Sequence, residues 1–255
     1  MMKSTTIHSA KPNLTTNDSS VLQALFDAES SPSNAVTIKH DLPPFPNDLN
    51  ISQDLNSTLQ ACELEIIRTL NPTTPTTTTP PTPSTIQTAI KDLTALIKDH
   101  PTYPPAYVNR AQALRMLIDP AETSDSDATL FSHQHEETFT ALFSDLGEAI
   151  TLSTPRSPAD PVSPAQARVL ADAHTHRGYL LLRLAKVKRV GGDGEGPERL
   201  RGVDAERLEE MASRDFFFGG RYGNKVAREL AVQTNPYAKM CGAIVKEALR
   251  KEVEG

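Results

Sequence analysis

From Thr85 onward, apolar side chains fall at Ile86, Ala89, Ile90, Leu93, Leu96 and Ile97, offsets of 0, 3, 4, 7, 10 and 11. Only an α-helix gathers that spacing into one continuous face. The same template fits Phe139, Leu142, Phe143, Leu146, Ala149 and Ile150. It fits again at Tyr237, Met240, Cys241, Ile244, Val245 and Ala248, where Asn235 is a good N-cap and Pro236 suits the first helical position. Looser helical patterns cover 52–70, 106–118, 165–188, 205–217 and 224–232, and no segment sustains the alternation of a strand. The chain is predicted to be all-α.

Between these helices lie segments that cannot bury a face. Residues 71–84 are almost entirely Thr and Pro, 119–136 are polar, 153–164 repeat Ser/Thr-Pro, and 191–197 are Gly-rich and acidic. Pro blocks helix formation, and such compositions favour extended chain, so these segments predict long disordered insertions into a simpler helical parent. With 20 Pro, no Trp and only 5% aromatic residues, the folded part is expected to be shorter than the chain. The predicted organisation is a mostly flexible segment over 1–50, with a short helix near 20–27, followed by one helical domain over 51–252. Within that domain, helix pairs are expected at about 52–100, 105–152 and 165–219, closed by capping helices over 223–252.

The second and third pairs carry internal similarity. In Tyr107-Val108-Asn109-Arg110-Ala111, an aromatic precedes by four a small residue that lets two helices approach closely, and Gly178 in Arg177-Gly178-Tyr179 takes the same small position. In the second helices, Leu146 and Ala149 correspond to Phe216 and Gly219. Bulky residues that fill an inter-helix gap and small ones that permit contact are the logic of the tetratricopeptide repeat, whose pairs must stack to bury their faces. The first pair keeps Ala89, Leu93 and Pro101, but carries Ile66 where a small residue is expected.

The chain as a whole resembles the tetratricopeptide repeat protein 36 family. The resemblance rests on Asn17-Asp18 with Val21-Leu22-Gln23-Ala24-Leu25-Phe26, on Ala106-Tyr107 with Asn109 to Ala113, on Arg177-Gly178, on Arg214-Asp215-Phe216, and on Asn235-Pro236-Tyr237-Ala238 with Cys241. It implies a right-handed α-α superhelix of three degenerate tetratricopeptide helix pairs plus a C-terminal helix. It further implies a protein-binding role, an association with the Hsp70 chaperone, and a link to tyrosine metabolism.

Sites for chemistry are absent from the pattern. His135-Glu136 begins like a zinc-protease helix, but the fifth position is Phe139, so the second ligand is missing. His174 and His176 are two apart on a helix and point in different directions. The glycines of 191–196 are followed by no Gly-Lys-Ser/Thr, and their acids would repel phosphate. Cys62 and Cys241 are isolated on helical stretches and read as reduced core thiols of the cytosol or nucleus. No catalytic, metal or cofactor residue is therefore assigned. A net charge of -6 without a basic stripe excludes a nucleic-acid binder. The one Lys/Arg-dense stretch, Arg183, Lys186, Lys188 and Arg189, is expected to offset a helix macrodipole. No stretch approaches a membrane span, and residues 1–20 hold no secretory apolar run.

The expected partners are other proteins, gripped by the concave surface that stacked first helices present. Asn109, Gln112, Arg115, Thr175, His176, Tyr179 and Arg183 are predicted to line this groove, whereas Tyr107, Ala111, Leu114, Gly178, Phe216 and Tyr237 are predicted core. Chaperone-binding relatives of the wider class seize an acidic tail with Lys, Arg and Asn side chains through charge-assisted hydrogen bonds. At those positions this chain keeps Asn109 but carries Glu63, Ile67, Asp172 and His176, so that carboxylate clamp is broken. A scaffold or adaptor is the leading reading; a structural subunit of a larger complex and a small hydrolase or transferase are its alternatives. Thr154-Pro155, Ser157-Pro158 and Ser163-Pro164 are candidate proline-directed phosphorylation sites on what reads as plain linker.

Overall fold

Helix ends in this chain are set by side chains that satisfy orphaned backbone N–H groups. Thr82 accepts from Thr85 N at the start of the helix Pro83–Asp99, Asp204 from Arg207 N at 2.7 Å before Ala205–Arg221, and Asn224 from Ala227 N at 2.9 Å before Lys225–Thr234. The computed structural model describes residues 36–70, 80–119, 127–191, 196–235 and 250. The helices are α1 (Gln53–Leu70), α2 (Pro83–Asp99), α3 (Pro104–Ile118), the single turn α4 (Asp127–Leu130), α5 (Glu136–Ser153), α6 (Pro164–Gly191), α7 (Ala205–Arg221) and α8 (Lys225–Thr234). Among the described residues there is no strand, and the fold is all-α. The expected helices near 20–27 and over 237–248 lie outside the described residues, as do most of the Thr/Pro tract and 192–195.

The apolar faces read from spacing are the faces that pack. Ile86, Ala89, Leu93 and Ile97 of α2 are buried, as are Phe139, Leu142, Leu146 and Ala149 of α5. Each of the longer helices packs on the next in chain order, from α1 on α2 through to α7 on α8. In addition α1 touches α3, and α3 touches α6, so alternate helices meet along one side.

Two of these helix pairs are fastened by the same device. Arg110 on α3 grips Asp145 on α5 through Nε and Nη2, at 2.8 and 2.6 Å. Arg177 on α6 grips Asp215 on α7 in the same bidentate way, at 2.8 and 2.7 Å, and His174 Nδ1 lies 2.8 Å from the same carboxylate. Each Arg precedes the small residue of its helix, Ala111 or Gly178, and each Asp precedes the bulky one, Leu146 or Phe216. The small residues are needed for contact: a Cβ on Gly178 would lie 3.0 Å from the Phe216 ring and 3.2 Å from the Ala212 carbonyl. Ala111, Leu114, Gly178 and Phe216 are buried as expected of core, while Tyr107 is half-buried and donates its hydroxyl to the Pro101 carbonyl.

Several segments expected to be loop are packed instead. Residues 36–50 belong to the predicted flexible segment, yet Phe45 is buried with its ring edge-on to Tyr103 at 6.1 Å. Ile38 forms an isolated parallel bridge with Val162, and the buried Ser163 hydroxyl donates to the Pro44 carbonyl at 2.6 Å. The Ser/Thr-Pro stretch is therefore built into the fold at its C-terminal end. In 119–136, Leu130 and Phe131 enter the core, and Phe131 packs edge-on against Phe139. Cys62, expected as a core thiol, is exposed on α1, and Cys241 lies outside the described residues. Of the basic stretch, Lys188 and Arg189 lie in the last turn of α6, while other partners engage Arg183 and Lys188. Arg183 is buried against Asp119, and the buried Lys188 ammonium donates to the carbonyls of Leu200, Arg201 and Val203.

Candidate functional site

Where α1, α3 and the start of α6 converge, they leave a cleft of about 420 Å³. Gln60, Glu63, Leu64 and Ile67 line it from α1, and Pro105, Val108 and Asn109 from α3. Ala165, Arg168, Val169 and Asp172 come from α6, with Phe45 and Tyr103 completing the wall. Spacings of three and four put each helix's contributors on one side: Gln60, Glu63, Leu64 and Ile67 recur at helical intervals, as do Arg168 and Asp172. Leu64 remains 47% exposed, a large apolar side chain left open to solvent inside a recess.

Glu63 is the fixed point of the cleft. The Tyr103 hydroxyl donates to its Oε2 at 2.5 Å, and Asn109 Nδ2 donates to Oε1. Burial raises the Glu63 pKa above its ordinary value, against the pull of those two hydrogen bonds and of the Arg168 charge. Burial likewise raises the Tyr103 phenol, reinforced by Glu63. Asp172 is raised by desolvation and pulled down by Arg168. Arg168 and Asp172 also border a second, more open depression lined by Ile38, His40, Tyr222 and Asn224, so they stand on the ridge between two recesses.

Of the residues predicted to line the groove, Asn109 lines this cleft, and its amide is engaged by Glu63. Gln112, Arg115 and Tyr179 are half-buried outside the cleft lining. Thr175 donates to the Ala171 carbonyl at 2.5 Å and faces α7, where a Cβ on Gly219 would lie 2.6 Å from its Oγ1. Among the described residues His176 Nε2 is buried with no hydrogen-bond partner, and burial together with the Arg115 charge lowers its pKa to about 3, so the ring is neutral. Arg183 is buried in its pair with Asp119, its guanidinium 5.6 Å from the Tyr179 ring centroid. The reason is local: Asp119 ends α3, and α4 lies against α6, so the later turns of α6 are spent on packing.

The positions compared with the chaperone clamp fare differently. Glu63, Ile67, Asn109 and Asp172 all converge in the cleft, and His176 does not. Sequence reasoning missed Phe45, Tyr103, Leu64 and Arg168. Leu64 carried a signal, as an apolar residue one step off the buried stripe of α1, whereas Phe45 sits in a segment with no helical period. The lining side chains include no Ser, Cys or His, and among the described residues no cluster of His, Cys, Asp and Glu could hold a metal ion. What the cleft offers is hydrogen bonding, charge and apolar contact. No described helix is long and apolar enough to cross a membrane.

Fold and site together define an all-α protein of consecutively packed helices with an open cleft of mixed charge where alternate helices meet. The chain is 61% identical over 260 residues to the L-tyrosine degradation gene cluster protein hmgX of Aspergillus fumigatus (strain ATCC MYA-4609 / CBS 101355 / FGSC A1100 / Af293), a match that covers 100% of this chain and 99% of that protein. It belongs to the family of that protein. No protein-family model and no solved structure matches it.

Proposed function

We propose that this protein is a non-enzymatic adaptor of L-tyrosine degradation that holds a segment of a partner protein in the cleft between α1, α3 and α6. The pathway assignment is supported by the name of its hmgX relative and by the resemblance to the tetratricopeptide repeat protein 36 family. The architecture we infer is a right-handed superhelix of three degenerate tetratricopeptide pairs, α1–α2, α3–α5 and α6–α7, closed by C-terminal helices. The recurring Arg110–Asp145 and Arg177–Asp215 fasteners favour a repeat, as does the touching of α1 with α3 and of α3 with α6.

The single observation that carries the binding role is the convergence of Glu63, Ile67, Asn109 and Asp172, from three different helices, around the exposed Leu64. In a stacked array, the first helices present such a surface to extended peptides. An acidic chaperone tail would meet Glu63 and Asp172, and like charges brought together in a recess repel. Any Hsp70 contact therefore uses another surface.

Affinity capture with the full chain and with a Leu64→Asp variant tests the role. The adaptor reading expects a partner that the variant loses while circular dichroism and thermal midpoint stay unchanged; retention of every partner by the variant refutes it. Hsp70 lacking its C-terminal tail should bind as intact Hsp70 does, and loss of binding on tail removal would refute the separate surface.

A further inference from the structure

We infer that the segment held in the cleft carries a basic side chain, Lys or Arg, flanked by apolar residues. The inference rests on the adaptor reading of the same cleft and specifies what it holds. Charge complementarity carries it. Two carboxylates, Glu63 and Asp172, face the recess against one guanidinium, Arg168, and among the described residues neither carboxylate forms an ion pair. An occupant that balances this wall brings one net positive charge.

Glu63 is built for such a role. Tyr103 and Asn109 each donate one hydrogen bond to it, one to each oxygen, and both donors are neutral. A carboxylate has about four acceptor positions, so about two remain for an incoming ammonium or guanidinium. The Tyr103 and Asn109 bonds hold the oxygens in place before the ligand arrives, which lowers the ordering cost of binding. Tyr103 is itself fixed, fully buried and edge-on to Phe45. Around this anchor, Leu64, Ile67, Val108 and Val169 supply apolar wall, with Leu64 exposed. They match apolar residues on either side of the basic one. Arg168 lines the same recess, its charge acts on both carboxylates, and within the described residues it forms no ion pair.

The test is selection of a random dodecapeptide display library on the full chain, followed by affinity measurement of the enriched peptides on four variants. The inference expects enrichment of Lys or Arg between apolar residues. It also expects affinity to fall about tenfold in Glu63→Gln, the loss of one charge-assisted hydrogen bond, and severalfold in Asp172→Asn. Among the described residues Asp172 is exposed and its side chain forms no hydrogen bond or ion pair, so its variant remains informative if Glu63→Gln folds poorly. Enrichment of acidic peptides whose binding is lost in Arg168→Ala overturns the inference while leaving the cleft as the binding site. Enriched peptides that bind Leu64→Asp as well as the unaltered chain, or no enrichment at all, overturn the cleft reading and the inference with it.

Discussion

Replacing Asp215 with Asn removes one charge from a buried carboxylate that fastens two helices and leaves its shape in place. Three contacts converge on it: Arg177 Nε at 2.8 Å, Arg177 Nη2 at 2.7 Å and His174 Nδ1 at 2.8 Å. The carboxylate is 6% exposed, His174 8% and Arg177 26%. Breaking a buried ion pair by neutralising one partner costs about 3–5 kcal/mol, chiefly because the other charge stays buried. Arg177 can recover part of its hydration, so the expected loss is about 2–4 kcal/mol. The sign with pH follows from the carboxyl. Burial alone would raise its pKa, but the hydrogen bonds from Arg177 and His174 outweigh burial and hold it below its ordinary value of 3.8. A depressed carboxyl contributes stability that is present above the unfolded value and lost as pH falls through the folded one. Urea unfolding of Asp215→Asn and the unaltered chain should therefore differ by that amount at pH 7, with the gap closing only below about pH 4. A difference under about 1 kcal/mol at pH 7 would refute the idea that this pair fastens α6 to α7.

Other consequences are equally direct. Gly220→Ala would place a Cβ 2.9 Å from Arg228 Cα and 3.0 Å from its nitrogen; the overlap should cost about 1–3 kcal/mol and exceed the gain of about 1 kcal/mol in helix propensity, as a lowered urea midpoint. Lys188→Met strips the donor from three carbonyls, and should destabilise by about 1–3 kcal/mol and speed amide exchange over 198–204. A proline-directed kinase should modify exposed Thr154 but leave Ser163 untouched, because Ser163 is buried with its hydroxyl donated to Pro44 and accepting from Gln166 N. Mass mapping after treatment of the folded chain checks this, and phosphate on Ser163 would contradict the packing of 36–50.

The sequence made the helices legible because their burial is periodic. The apolar faces of α2 and α5 were readable residue by residue, and the pairing of small with bulky positions at Ala111, Gly178, Leu146 and Phe216 marked where helices touch. What escaped were contacts without a period. Ile38 meets Val162 across 124 positions, and Leu130 with Phe131 is a two-residue apolar island in a polar stretch. The site divided along the same line. Asn109, expected in the groove, lines the cleft, and Glu63 and Asp172, read from sequence only as the substitutions that break the carboxylate clamp, line it too. The later turns of α6 were expected to line the groove as well, but Asp119 draws Arg183 inward and α4 packs against α6. A single Asp at a helix end carries no mark of the Arg it will meet 64 positions later.

The central claim is that the cleft between α1, α3 and α6 receives a partner protein. Hydrogen–deuterium exchange of the full chain, alone and with the partner it captures, tests that claim most directly. Binding in the cleft predicts slowed exchange over 60–67, 105–109 and 165–172. Slowed exchange confined to α7 and α8, with 60–67 unchanged, would contradict it.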